Sequence, residues 1–262
     1  MPSRPRRLPG VLGGKYHGAH GGRRPGYRAV RGSAGAAHAH PGGWHWKAHS
    51  LIAWLSAELP RILARHPLLA GRTRVIVPDL RGAGATDAPG GRYDLATMRG
   101  DLVALMDALG LERASIVAHD WSALAGFSLC LEHPDRVSRY VAIAVPPPYI
   151  RIGPALLWAM VKAMRHLWFP YAVAAPGIGP RLLAGGQQRL ATWILRFFEV
   201  QPIPDEDVAA YLAVLREPAH ARAASALYRQ LILPEFIKIM RGSYRGRRLR
   251  VPTLVLFVRR TS

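Results

Sequence analysis

Cysteine is almost absent from this chain. The single one, Cys130, excludes an internal disulfide and fits a reducing, cytoplasmic setting. It falls in an apolar run, so it reads as a small buried residue and not as a nucleophile. Long apolar runs are missing too, and none reaches the length of a membrane span. No apolar core follows Arg4, Arg6 and Arg7, so a secretory leader is not expected. Acid is scarce: 16 Asp and Glu face 36 Lys and Arg, for a net charge of +20. Glu58 is the one acid before Asp79. A basic arm of this kind suits an anionic surface. Its cations are scattered among Gly, Pro and His, however, with no helix face or aromatic ladder, so specific nucleic-acid binding is not expected. The histidines lack metal-ligand spacing, and neither a metal nor a cofactor is called for.

What is present is a sizeable apolar fraction, 50% of 262 residues, enough for one α/β domain with an insertion. Residues 1–66 are Gly-, Pro- and His-rich without hydrophobic period and read as largely disordered. Tyr27 to Val30 is too short and charged to stand as a strand, and Leu51 to Leu69 reads as a helix interrupted at Pro60. Clean patterning starts near Pro67. Residues 67–148 alternate strand and helix: a buried strand from Thr73 to Pro78, a helix capped by Asp94, a strand from Ser115, a helix from Ser122 to Glu132, and a strand from Tyr140 to Val145. That alternation predicts a doubly wound, mostly parallel sheet. Residues 149–240 read as helical segments cut by prolines, and 241–262 as a returning strand.

The stretch from Ser115 to Ala125 concentrates the chemistry. A short apolar strand runs into His119-Asp120-Trp121 and then a helix, with small residues at Ala118 and Ser122 two positions either side of Asp120. Small-x-nucleophile-x-small is the spacing of a nucleophile elbow, with aspartate in place of serine. A strand that bends at once into a helix brings its own backbone close, which forbids bulk there. On spacing alone the turn fits a helix-capping aspartate equally well.

Three further stretches decide the comparison: Arg74 to Pro89, with its Pro-Asp-Leu-Arg-Gly loop, His133-Pro-Asp-Arg-Val137, and Leu227-Tyr-Arg229. With the elbow, they resemble the α/β-hydrolase superfamily, and within it the epoxide hydrolase and haloalkane dehalogenase branch, over about Pro67 to Phe257. The family more often has glycine where Ala118 and Ser122 stand. His38-Ala-His-Pro41 weakly resembles the family's oxyanion loop. The resemblance implies an α/β-hydrolase sheet with an inserted helical cap, incomplete at both ends.

It also implies roles. Asp120 would be the nucleophile, attacking an epoxide to form an alkyl–enzyme ester. Tyr228 would donate to the epoxide oxygen, and the Trp121 backbone N–H would hold the oxyanion. His119, Phe169 and Tyr171 would line the pocket for a small apolar epoxide or related electrophile. Phe169 falls where the family has a second tyrosine. The triad acid and histidine are absent after Phe257, which makes turnover doubtful and the enzyme impaired. Two alternatives remain open: a haloalkane or haloacid dehalogenase relative, and a non-catalytic binding protein that uses the basic arm. Oligomeric state is not legible.

Overall fold

The computed structural model describes residues 11–15, 26–30, 50–54, 74–149, 153–154, 158, 168–198 and 202–257. Its frame is a sheet of seven strands: β1 (Val11–Lys15), β2 (Gly26–Val30), β3 (Ser50–Trp54), β4 (Arg74–Pro78), β5 (Ala114–His119), β6 (Val137–Ile143) and β7 (Thr253–Leu256). They lie in the order β1-β2-β4-β3-β5-β6-β7. β1, β2 and β4 pair antiparallel, and every other pairing is parallel.

Two readings of the N-terminal part are corrected. Tyr27 to Val30 does form a strand, β2, pairing with β4 from Tyr27↔Pro78 to Val30↔Val75. Residues 51–54 are not helical but strand β3. Four apolar residues in a row carry no period that separates helix from strand. Position decides: β3 is hydrogen-bonded to β4 on one side and β5 on the other, Ile52 facing both Ile76 and Ile116. Without it the facing edges of two buried strands would hold unpaired backbone groups. The rest of residues 1–66, including His38 to Pro41, lies outside the described residues.

Helix α1 (Leu95–Ala108) follows β4. The carboxylate of Asp94 accepts from Thr97 N–H at 2.9 Å, capping it as its sequence predicts. Met98, Leu102, Leu105 and Met106 turn one face inward. Helix α2 (Trp121–Glu132) follows β5, packs against α1, and is buried along nearly its whole length. Gly126 sits where it presses on β6: a Cβ there would stand 2.5 Å from the Tyr140 hydroxyl. That hydroxyl donates to Ala123 O at 2.7 Å inside the core. A turn of 3₁₀ helix, Pro134–Arg136, leads into β6.

Between β6 and β7 the described residues include six helices: α3 (Phe169–Ala174), α4 (Ile178–Ala184), α5 (Arg189–Phe198), α6 (Asp205–Arg216), α7 (Pro218–Leu227) and α8 (Leu233–Met240). Pro234 does not cut α7 from α8. A π-turn, Tyr228–Ile232, joins them, with Leu233 N–H reaching back to Tyr228 O. Widening the turn by one residue accommodates a ring that has no N–H to give. The insertion is anchored twice. Ala223, Ala226, Leu231 and Ile232 belong to the main core with Ile116 and Phe127, while Phe169, Val173, Leu183, Ala191 and Ala221 form a second cluster.

Candidate active site

The strand order reverses at β3, since the chain goes from there to β4 on one side and β5 on the other. Crevices at the carboxyl ends of strands bind ligands at such a switch point. Asp120 stands there, one residue beyond the end of β5. Its φ of 53° and ψ of −135° lie in a region that non-glycine residues avoid at a cost of about 1–3 kcal/mol. The ladder imposes that conformation: Asp120 N–H donates to Ile143 O at 3.0 Å, and Ala123 N–H to Asp120 O at 2.9 Å. Ser122 braces the bend from inside. Its hydroxyl donates to His119 O at 2.6 Å and accepts from His119 N–H at 3.1 Å. A serine fits there because its one heavy side-chain atom beyond Cβ bonds back to the turn. Ala118, on the other side, is fully buried.

Asp120 does not cap its helix. Its side chain makes no capping bond, and its carboxylate accepts from the N–H of Trp121, the first helical residue. Burial pushes the carboxyl up from 3.8 to about 6, with the Trp121 N–H acting against the rise. A half-buried carboxyl whose charged form is disfavoured, at the switch point of a sheet, has the setting of a functional group. Burial lowers the neighbouring His119 imidazole below its ordinary value.

Tyr228 approaches from the helical insertion, near enough to feel the Asp120 charge. It packs against both apolar clusters, at the seam between them. Burial raises its phenol far above the usual 10, and the charge of Asp120 raises it further. The hydroxyl therefore keeps its proton. Phe169 is buried beside it, ring centroids 6.2 Å apart at 72°. Tyr171 does not share that setting: it is 60% exposed, so the expectation of a pocket residue is corrected. Its place in α3, two residues past Phe169, turns it by about 200° around a helix axis, onto the opposite face. Trp121 packs partly buried on the main core, above which its backbone N–H meets Asp120.

A separate cleft of about 320 Å³ is lined by Pro89, Gly91, Tyr93, Arg222, Arg229 and Gln230, and neither Asp120 nor Tyr228 faces it. No group of three metal-ligating side chains converges among the described residues.

A strained aspartate at the switch point of a mostly parallel sheet, under a helical insertion, places the chain among the α/β hydrolases. The family model for the alpha/beta hydrolase fold matches residues 39–192, more than half of the chain, and the protein belongs to that family. The match begins well before Pro67, in keeping with β3. Within the family it is epoxide hydrolase-like. A soluble epoxide hydrolase of Corynebacterium sp. is 26% identical over 167 residues, 62% of this chain and 57% of that protein. Epoxide hydrolase 2 of Siraitia grosvenorii is 46% identical over 74 residues, 28% of this chain and 23% of that protein. Among solved structures, an epoxide hydrolase from Vigna radiata superposes with a TM-score of 0.66 at 24% identity, covering 96% of this chain and 80% of that one. The chain thus spans 57% or less of the length of these curated relatives.

The signal for the elbow, its Asp and its small neighbours was in the sequence. Gln230, on the π-turn two residues from Tyr228, carried none beyond being polar in an apolar run.

Proposed function

We propose that Asp120 opens a small apolar epoxide. A carboxylate oxygen attacks one ring carbon and that carbon's bond to the ring oxygen breaks. Tyr228 gives its proton to the departing oxygen, leaving a β-hydroxyalkyl ester on Asp120 and a phenolate that takes its proton back from water. The Trp121 N–H holds the carboxylate oxygen that becomes the ester carbonyl, and would hold the oxyanion of any later attack on it. The observation that carries this reading is the pairing itself: a half-buried carboxylate at the strand-to-helix bend and a phenol from the helical insertion, packed on both apolar clusters, that feels its charge.

Cleaving the ester needs a histidine oriented by an acid. His220 of α7 is engaged elsewhere, its ring 3.2 Å from Thr86 O and 3.2 Å from Glu217. His133 closes α2. We therefore expect the ester to accumulate. The lone, buried, unpaired cysteine fits a cytoplasmic site of action.

A second reading is favoured by Phe169, which offers no second hydroxyl beside Tyr228. An alkyl halide meets the same carboxylate and expels an anion that needs no proton. Incubation with styrene oxide, followed by intact-mass measurement, separates them. One added substrate mass, lost in Asp120→Asn, supports the first reading. Halide release from a haloalkane without reaction of the epoxide supports the second. Reaction with neither sinks both.

A further inference from the structure

The chemistry above needs Tyr228 at one place, yet Tyr228 opens a π-turn. Such a turn is wider than an α-turn and interrupts the regular ladder, so contacts from outside the helix help to fix where its side chains stand. Gln230, in the middle of the turn, makes two bonds across to the core. Its Oε1 accepts from Tyr93 N–H at 2.7 Å, and its Nε2 donates to Gly91 O at 3.3 Å. A backbone N–H can only donate, so this bond settles which way round the amide sits. One acceptor and one donor meet one donor and one acceptor, like a rung of a sheet ladder.

The loop on the other side is firm. Tyr93 is 2% exposed, and its hydroxyl donates to Pro89 O at 2.7 Å. Arg81 ties the loop's start to Asp101 on α1 at 2.7 Å. The helix also presses directly on the loop, since a Cβ on Gly82, where φ is +74°, would stand 2.4 Å from the Ala223 Cβ. Gln230 is thus held by an abutment with little freedom of its own. The cleft lined by Gly91, Tyr93 and Gln230 leads solvent to the clasp, so the bonds compete with water and their geometry can be altered without opening the core.

We propose that Gln230 is a positioning residue: by clasping Tyr93 N–H and Gly91 O it fixes the π-turn and thereby sets the Tyr228 hydroxyl over Asp120. The proposal rests on the ring-opening reading. It gives the wide turn a use, holding the donor by a polar contact where an α-helix would hold it by its own ladder.

The test compares wild type, Gln230→Leu, Gln230→Glu, Tyr228→Phe and the Gln230→Leu/Tyr228→Phe double variant as full chains. Two reagents are used: styrene oxide, whose oxygen needs a proton, and 1-iodobutane, whose iodide does not. Intact-mass measurement gives the rate of alkylation of Asp120. A donor displaced by about 1 Å predicts that Gln230→Leu slows the epoxide by about 10–100-fold and changes the iodide by less than about twofold. Gln230→Glu, which keeps the acceptor for Tyr93 N–H, recovers part of the loss. The double variant is no slower than Tyr228→Phe alone. Equal slowing with both reagents, or no slowing with either, overturns the proposal. If wild type reacts with neither reagent, the ring-opening reading fails, and Gln230 is then decided by amide hydrogen exchange at Tyr93 and over residues 228–233. Exchange faster by about tenfold or more in Gln230→Leu supports the clasp, and unchanged exchange overturns it.

Discussion

Replacing Asp120 by Asn should destroy alkylation and yet stabilise the protein, by an amount set by pH. The folded protein holds the Asp120 carboxyl at about 6 against an ordinary 3.8. At about 1.4 kcal/mol per pKa unit, ionising it in place costs about 3 kcal/mol, and partial solvent access trims this to about 2. The sign follows from proton binding. Between pH 4 and 6 the folded state holds a proton that the unfolded state has released, so wild-type stability falls as pH rises through that window. Asn is neutral throughout and imitates the protonated carboxyl. It also tolerates positive φ better than most residues. The gap between variant and wild type should therefore be small at pH 4, open between 4 and 6, and stay flat at about 2 kcal/mol above pH 7. Urea unfolding of both proteins at half-unit pH steps measures it. A gap that does not vary with pH, or that favours wild type at pH 8, would refute the argument that burial strains this carboxylate.

Tyr228→Phe removes the proton donor and should slow epoxide alkylation by about 10²–10⁴-fold, measured by intact mass, while leaving the iodide reaction nearly intact. Gly126→Ala pushes a Cβ to 2.5 Å from the Tyr140 hydroxyl and should lower stability by about 1–3 kcal/mol in urea. Ser122→Ala breaks both bonds that brace the His119–Asp120 bend; a loss of about 1–3 kcal/mol is expected. Its alkylation rate should fall as well, because the bend sets the direction of the carboxylate.

The elbow was legible because its constraint is local. Steric crowding at a strand-to-helix bend limits residue size at fixed offsets, so Ala118, Asp120 and Ser122 announce it without any tertiary knowledge. Asp94 was legible for the same reason, since a cap is satisfied within three residues. β3 was not legible. Its identity depends on β4 and β5, strands well after it in the chain, and four apolar residues cannot state which neighbours they will have. The π-turn was hidden by Pro234, a residue that marks a break when read alone and that the structure absorbs by one wider turn. Tyr171 was misplaced because a guess about register moves a side chain to another face, and only packing around Phe169 and Tyr228 fixes which ring is inside.

The most direct test of the central claim is the pH dependence of alkylation, with the adduct located by peptide mass spectrometry after styrene oxide treatment. If Asp120 is the attacking group in its buried setting, the adduct maps to Asp120 and its rate rises with pH to a plateau, with half the plateau reached near 6. An adduct on another residue, or a rate already on its plateau at pH 4.5, would contradict it.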